Sequence, residues 1–196
     1  MKLNLENSPL AVKNRLYQRI LAIRPVELAS FLKFILRVKR TWLELDNFKF
    51  FIDPCTNSGQ RLLTTKAYEP EMTKAIQDFL GPGDCFVDLG GNEGYFSIVA
   101  AHRVGSAGRV FCIEPQARLW PVIIENLSGN GISNCTVVPY GISDESGFCD
   151  ITLYPTINSG ASSIVSSVRG RLYPKQSIEL ISLDYFISLF SIQRIQ

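Results

Sequence analysis

The sequence predicts an α/β fold built on a parallel sheet. Short apolar runs (CFVDLG, RVFCIEP and NCTVVPY) alternate with helical stretches. A strand–helix alternation with helices of about 10–15 residues is the pattern of βαβ units. A glycine-rich turn, Gly90-Gly91-Asn92-Glu93-Gly94, follows the first run and opens a helix. Right-handed crossovers then lay the three strands side by side, with helices covering the sheet.

Length and composition agree with this. The chain has 196 residues, enough for one domain with a small appendage. It is 46% hydrophobic and 19% charged, which supplies a core and excludes a disordered chain. Lys and Arg number 20 against 18 Asp and Glu, a net charge of +2. That balance argues against a dedicated nucleic-acid binder, which carries a strongly basic face. His102 is the single histidine, so any His-based metal or nucleophile site would have to run through it. The five cysteines form no C-x-x-C pair. Cys85, Cys112 and Cys135 sit in apolar runs and read as small buried residues of a reduced compartment, and we expect neither a metal site nor a disulfide framework.

The elements follow in chain order. The first residues lack the apolar segment of a secretory signal. The stretch VELASFLKFILRV carries Glu27 and Lys33 and is shorter than the roughly 20 residues of a bilayer span. A protein without a transmembrane segment, soluble and cytoplasmic, is expected. Residues 10–40 read as helix, two helices if Pro25 breaks them, with Leu28, Phe31, Leu32, Ile35 and Leu36 at steps of three and four. Lys13, Arg15, Arg19, Arg24, Lys33, Arg37, Lys39 and Arg40 share this region with one acid, Glu27. We read a packed amphipathic helix with a solvated basic face; the alternative is a helix for a membrane surface or an acidic partner. Residues 42–53 read as a β-hairpin turning at Asp46-Asn47, and 54–59 as a loop. Residues 71–80 read as a helix with Met72, Ile76 and Phe79 on one face, stopped by Gly81-Pro82-Gly83-Asp84.

Beyond that stop come the first strand, a helix over 94–104, the second strand, a helix over 116–127, and the third strand. FCDITLY, SSIVSSV and SIELISLDYF then read as strands joined by Ser/Gly-rich turns. The expected division is a helical and hairpin extension over 1–80 and an α/β domain over 81–196.

The chemistry concentrates at two strand tips. A parallel sheet binds ligands at its carboxyl edge. Gly90, Gly91 and Gly94 let a ligand approach the backbone, and the helix behind them offers N–H groups and a partial positive charge. Asp88 ends the first strand and Glu114 the second. A carboxylate at the second tip suits a ribose diol, so the site fits an adenosine-containing ligand. Dinucleotide loops want G-x-G-x-x-G, a spacing absent here, and Asp88 would repel a pyrophosphate. S-adenosylmethionine, with its sulfonium and ammonium groups, matches an anionic loop better. Asp88 would face the positive end, loop N–H groups the carboxylate, and Glu114 the ribose. His102 falls late on its helix and reads as a helix-end residue; Tyr95, Phe96 and Trp120 read as helix packing.

The stretch FVDLGGNEGYFSIVAAHRVGSAGRVFCIEP resembles the FkbM-type S-adenosylmethionine-dependent methyltransferases. The resemblance extends to YEPEMTKAIQDFLGPGD, IIENLSGNGISNCTVVPYGISDESG and ISLDYF, over roughly residues 48–190. It implies a Rossmann-like class I methyltransferase fold acting on a hydroxyl oxygen of a sugar, glycan or secondary metabolite. It implies cofactor contacts from Asp88, Gly90, Asn92, Gly94 and Glu114, with Gly141 beside the adenine and Glu69 on an approach segment after Tyr68. The family continues past its Leu-Asp element with a Lys-x-Asp-x-Glu-Gly strand. Here Leu183-Asp184 is followed by twelve residues without that motif. The resemblance therefore implies a fold incomplete at the C-terminus, an open edge on the first strand, weak or absent activity, and no assignable catalytic residue. The competing readings are a degenerate cofactor-fold module that binds without catalysis and an NAD-type oxidoreductase.

Overall fold

The computed structural model describes residues 9–155, 157 and 173–195. They fall into two compact units. One runs through Tyr68 and takes in Tyr154, Pro155 and Ile157; the other comprises Glu69–Leu153 and 173–195.

The first unit opens with α1 (Pro9–Ala22) and α2 (Val26–Ile35). The break falls at Pro25, as its missing N–H and fixed φ dictate. Ile20, Ala29, Cys55 and Ile157 form one buried cluster of its core, with Tyr17, Leu21 and Val26 packed around them. β1 (Thr41–Glu44) and β2 (Lys49–Ile52) make the expected hairpin, antiparallel with Trp42 opposite Phe51. The Leu45 amide donates to the Phe48 carbonyl at 2.9 Å and closes the turn over Asp46-Asn47. Instead of a loop through residue 59, a further helix, α3 (Asn57–Thr65), begins. Thr56 Oγ1 accepts from the Gly59 amide at 3.0 Å and itself donates to the Asp53 carbonyl at 2.9 Å. A Cβ on Gly59 would lie 1.9 Å from that carbonyl, so only glycine lets the first turn close against Asp53.

The second unit begins with α4 (Pro70–Phe79), then β3 (Cys85–Leu89), α5 (Tyr95–Val104) and β4 (Arg109–Ile113). A 3-10 turn over Ala117–Leu119 leads into α6 (Trp120–Gly129), followed by β5 (Cys135–Val138). The three strands form one parallel sheet in the order β3-β4-β5, with Asp88 beside Cys112 and Cys112 beside Val137. β6 (Gly141–Ser143), β7 (Gly147–Thr152) and β8 (Lys175–Ser182) form a second sheet, β6 parallel and β7 antiparallel to β8. α7 (Leu183–Leu189) follows. Phe111, Ile113, Val138, Ile181, Phe186 and Ile192 are the buried core between these layers. Phe111 and Phe186 meet edge-on, ring centroids 5.4 Å apart, an arrangement the ring quadrupoles favour. The fold is thus mixed α/β with a parallel sheet.

Three further expectations are corrected. On α4, Ile76 is buried but Met72 and Phe79 are 51% and 81% exposed, because the helix packs on α5 through a narrower stripe. The third strand ends at Val138 before Pro139, which has no amide for the ladder, and Gly141 starts a separate strand. LDYF is helical rather than extended: Ser182 Oγ accepts from the Tyr185 amide at 3.1 Å and caps α7. The expected strand SSIVSSV lies outside the described residues.

Candidate functional site

The β3–α5 turn is shaped by its backbone. Gly90, Asn92 and Gly94 have φ of 79°, 49° and 85°, left-handed values that glycine adopts without cost and asparagine tolerates. Gly91 answers a different need. A Cβ there would sit 2.3 Å from Cys112 Sγ and 3.3 Å from Asp88 Oδ2, so the turn lies flat against β4.

The loop's amides point inward. Gly90 N and Gly91 N both donate to the Ile113 carbonyl at 2.9 Å, Asn92 N donates to Glu114 Oε2 at 2.9 Å, and Gly94 N donates to the Gly91 carbonyl at 2.7 Å. These four donors are engaged within the protein.

What the site offers instead is acceptors. The structure brings Asp88, Asn92 and Glu114 to one edge of the sheet. Asp88 is 8% exposed, and its Oδ2 accepts from Ser97 Oγ at 2.6 Å. Burial pushes its carboxyl above the ordinary value, and the Ser97 hydroxyl offsets part of that rise. Glu114 is 3% exposed. Its Oε2 holds the Asn92 amide and its Oε1 the Gln116 amide, each at 2.9 Å. Burial raises its carboxyl as well, against the pull of those amides and of Arg118. Asn92 Oδ1 is buried with no donor among the described groups. Such an orphaned acceptor is costly unless something donates to it.

Glu69 and Gly141 are set by their own elements. Glu69 is an exposed residue at φ 42° that precedes α4, its carbonyl accepting from the Thr73 amide at 2.9 Å. Gly141 opens β6, where a Cβ would lie 2.6 Å from Leu180 Cδ2, so its bareness serves sheet packing. His102 is exposed in the last turn of α5, as its place in the sequence implied.

The sequence reading missed the residues that brace the loop. Ser97 and Asn126 are each fully buried. Asn126 Nδ2 donates to the Glu93 carbonyl at 2.8 Å from α6. Trp120, read as helix packing, donates its indole N–H to the Glu114 carbonyl at 2.6 Å. Gln176, on β8, accepts from the Ala117 amide at 3.2 Å and donates to the Pro115 carbonyl at 2.7 Å. A cavity of about 390 Å³ lined by Asp84, Cys85 and Arg109 lies at the other end of β3 and β4, away from this cluster.

No protein-family model matches the sequence, and no curated protein matches it. The chain is similar to methyltransferases of solved structure. A candidate rRNA methylase from Clostridium thermocellum matches at 25% identity over 37% of this chain and 39% of its own, with a TM-score of 0.36. A SAM-dependent O-methyltransferase from Thermotoga maritima matches at 20% identity over 55% of this chain and 52% of its own, TM-score 0.36. M. jannaschii TYW2, solved in complex with AdoMet, matches at 19% identity over 51% of this chain and 42% of its own, TM-score 0.39. The chain spans about half the length of these proteins or less.

Proposed function

We propose that the chain is an S-adenosylmethionine-dependent methyltransferase with a class I fold of the FkbM type, acting on a hydroxyl oxygen. The observation that carries the cofactor is the chemistry of the loop: buried acceptors at Asp88, Asn92 and Glu114, and amides spent inside the protein. A cation with ammonium and hydroxyl donors suits that set. A pyrophosphate would find carboxylates where it needs donors, which disfavours the NAD-type alternative.

In this reading Asp88 faces the positive methionine end and Asn92 Oδ1 accepts from its ammonium. Glu114 accepts from the ribose diol with lone pairs its two amides leave unused, since an ionised carboxylate has about four acceptor sites. Gly90 and Gly94 supply the turn. When bound, the cofactor supplies a methyl group already activated for displacement by its sulfonium. The chain's own contribution is then positioning, worth up to about 7–11 kcal/mol in well-oriented systems. The resemblance adds Gly141 beside the adenine and Glu69 on an approach segment to this set. The proposal names no catalytic base.

A second reading has its own observation. Both carboxylates are spent on protein donors and nearly closed to solvent, as in a module that keeps the loop only to fold. Calorimetric titration with S-adenosylmethionine, S-adenosylhomocysteine and NAD separates the readings. Methyltransferase chemistry requires binding of the first two over NAD, followed by methyl transfer to a hydroxyl acceptor from a panel of sugars, glycans and RNA. Absence of binding to all three leaves the folding role alone. NAD preference would overturn the cofactor assignment.

A further inference from the structure

The α1–α2 region carries an exposed apolar arc among basic residues. On α2, Leu28, Phe31 and Ile35 repeat at steps of three and four, with Phe34 beside them, and all are exposed. Phe31 and Phe34 are 58% and 77% exposed. The opposite side of the helix holds it in place: Ala29 is buried in the core of its unit, and Lys33 pairs with Asp53. The apolar arc is therefore turned outward by its own anchors. Leu36, just past the helix, and Val12 and Leu16 on α1 are exposed too.

Charge divides along the chain. From Pro9 to Arg40 there are eight basic residues and one acid, Glu27 in the first turn of α2. From Thr41 onward there are 11 basic and 16 acidic residues. Lys13, Arg19, Arg24, Arg37 and Lys39 are exposed. Apolar side chains within a basic belt are the composition of helices that lie in the headgroup plane of an anionic bilayer. No helix among the described residues is long and apolar enough to cross a membrane.

We propose that α1 and α2 form a docking surface for an anionic lipid bilayer. Phe31, Phe34 and Ile35 enter the acyl boundary, and Arg37 and Lys39 with the other exposed basic residues meet the phosphates.

The test is flotation of the full chain with two kinds of vesicle, pure phosphatidylcholine and phosphatidylcholine with about one-third phosphatidylserine. The chain is expected to float with the second and to be released near 1 M salt, where charges are screened within about 3 Å. F31S/F34S and R37E/K39E, all at exposed positions, should each lower partitioning by about tenfold or more with circular dichroism unchanged. Equal partitioning into neutral vesicles, or no partitioning, overturns the proposal. So does unchanged binding by both variants. A dimer dissolved by Phe34→Ser, with no vesicle binding, would make a second copy of the chain the occupant and overturn it as well.

Discussion

Asp88 and Glu114 stand at neighbouring tips of one parallel sheet, both nearly buried, yet they are held in different ways. Glu114 divides its two oxygens between amides of two loops, Asn92 from the β3–α5 turn and Gln116 after β4. Asp88 accepts from one residue, Ser97, through both its hydroxyl and its backbone amide, and among the described ion pairs no cation is its partner. The first carboxylate is a clamp whose charge is compensated by fixed backbone dipoles. The second is a buried charge tied to a single residue, Ser97, with lone pairs left for a further donor. A site that binds a cation needs a group of the second kind, and a site that keeps its shape needs one of the first.

The largest effect tests the clamp. Glu114→Ala strands two buried amides. Hydrogen bonds to a charged group are worth about 1.5–3 kcal/mol each, so the loss should be about 3 kcal/mol or more in urea unfolding. Cofactor binding should be lost in the same variant. Asp88→Asn keeps the shape and an acceptor for Ser97, and should cost clearly less. Equal costs for the two would break the contrast between clamp and singly held charge.

Next comes Gly91→Ala. The added methyl meets Cys112 Sγ at 2.3 Å, and overpacking of this kind costs about 1–3 kcal/mol. Cys112→Ala in the same chain should recover most of it, because the sulfur is the nearest obstacle. A double variant as unstable as Gly91→Ala would mean that the remaining contact, with Asp88, sets the spacing of the two tips.

The contrast also marks what could be read from the sequence. β3, β4, β5 and the glycine turn were legible because buried parallel strands are continuous apolar runs and the turn needs residues that accept positive φ. The braces were not. Ser97 and Asn126 are polar residues within helices, which local pattern assigns to solvent; only the tertiary fold buries them. α3 was missed because NSGQRLLTT opens like a turn and carries two leucines. Its start depends on the Thr56 hydroxyl and on a Gly59 pressed against Asp53. The end of β8 was misread for a different reason. Tyr185 and Phe186 favour strands, but Ser182 with Asp184 in the first turn is a helix start, and that signal was present.

The smallest effect sharpens the account of Asp88. Its carboxyl lies above the ordinary value in the folded chain because burial disfavours the charge. The folded state therefore holds the proton more tightly than the unfolded one. The stability this group contributes is complete below its unfolded value, near 3.8, and drains away as pH rises through the raised folded value. One proton limits the slope to about 1.4 kcal/mol per pH unit. Asp88→Asn should remove that slope from a series of urea titrations between pH 4 and neutrality. Ser97→Ala should instead carry it to higher pH, since it removes one of the two donors that favour the charged form. A bound cation beside Asp88 would lower the carboxyl again, so S-adenosylmethionine should expel a proton on binding and bind less tightly as pH falls. S-adenosylhomocysteine, whose sulfur is neutral, should expel less. Calorimetry in two buffers of different ionisation heat measures that difference, and equal proton release by the two ligands would place the sulfonium away from Asp88.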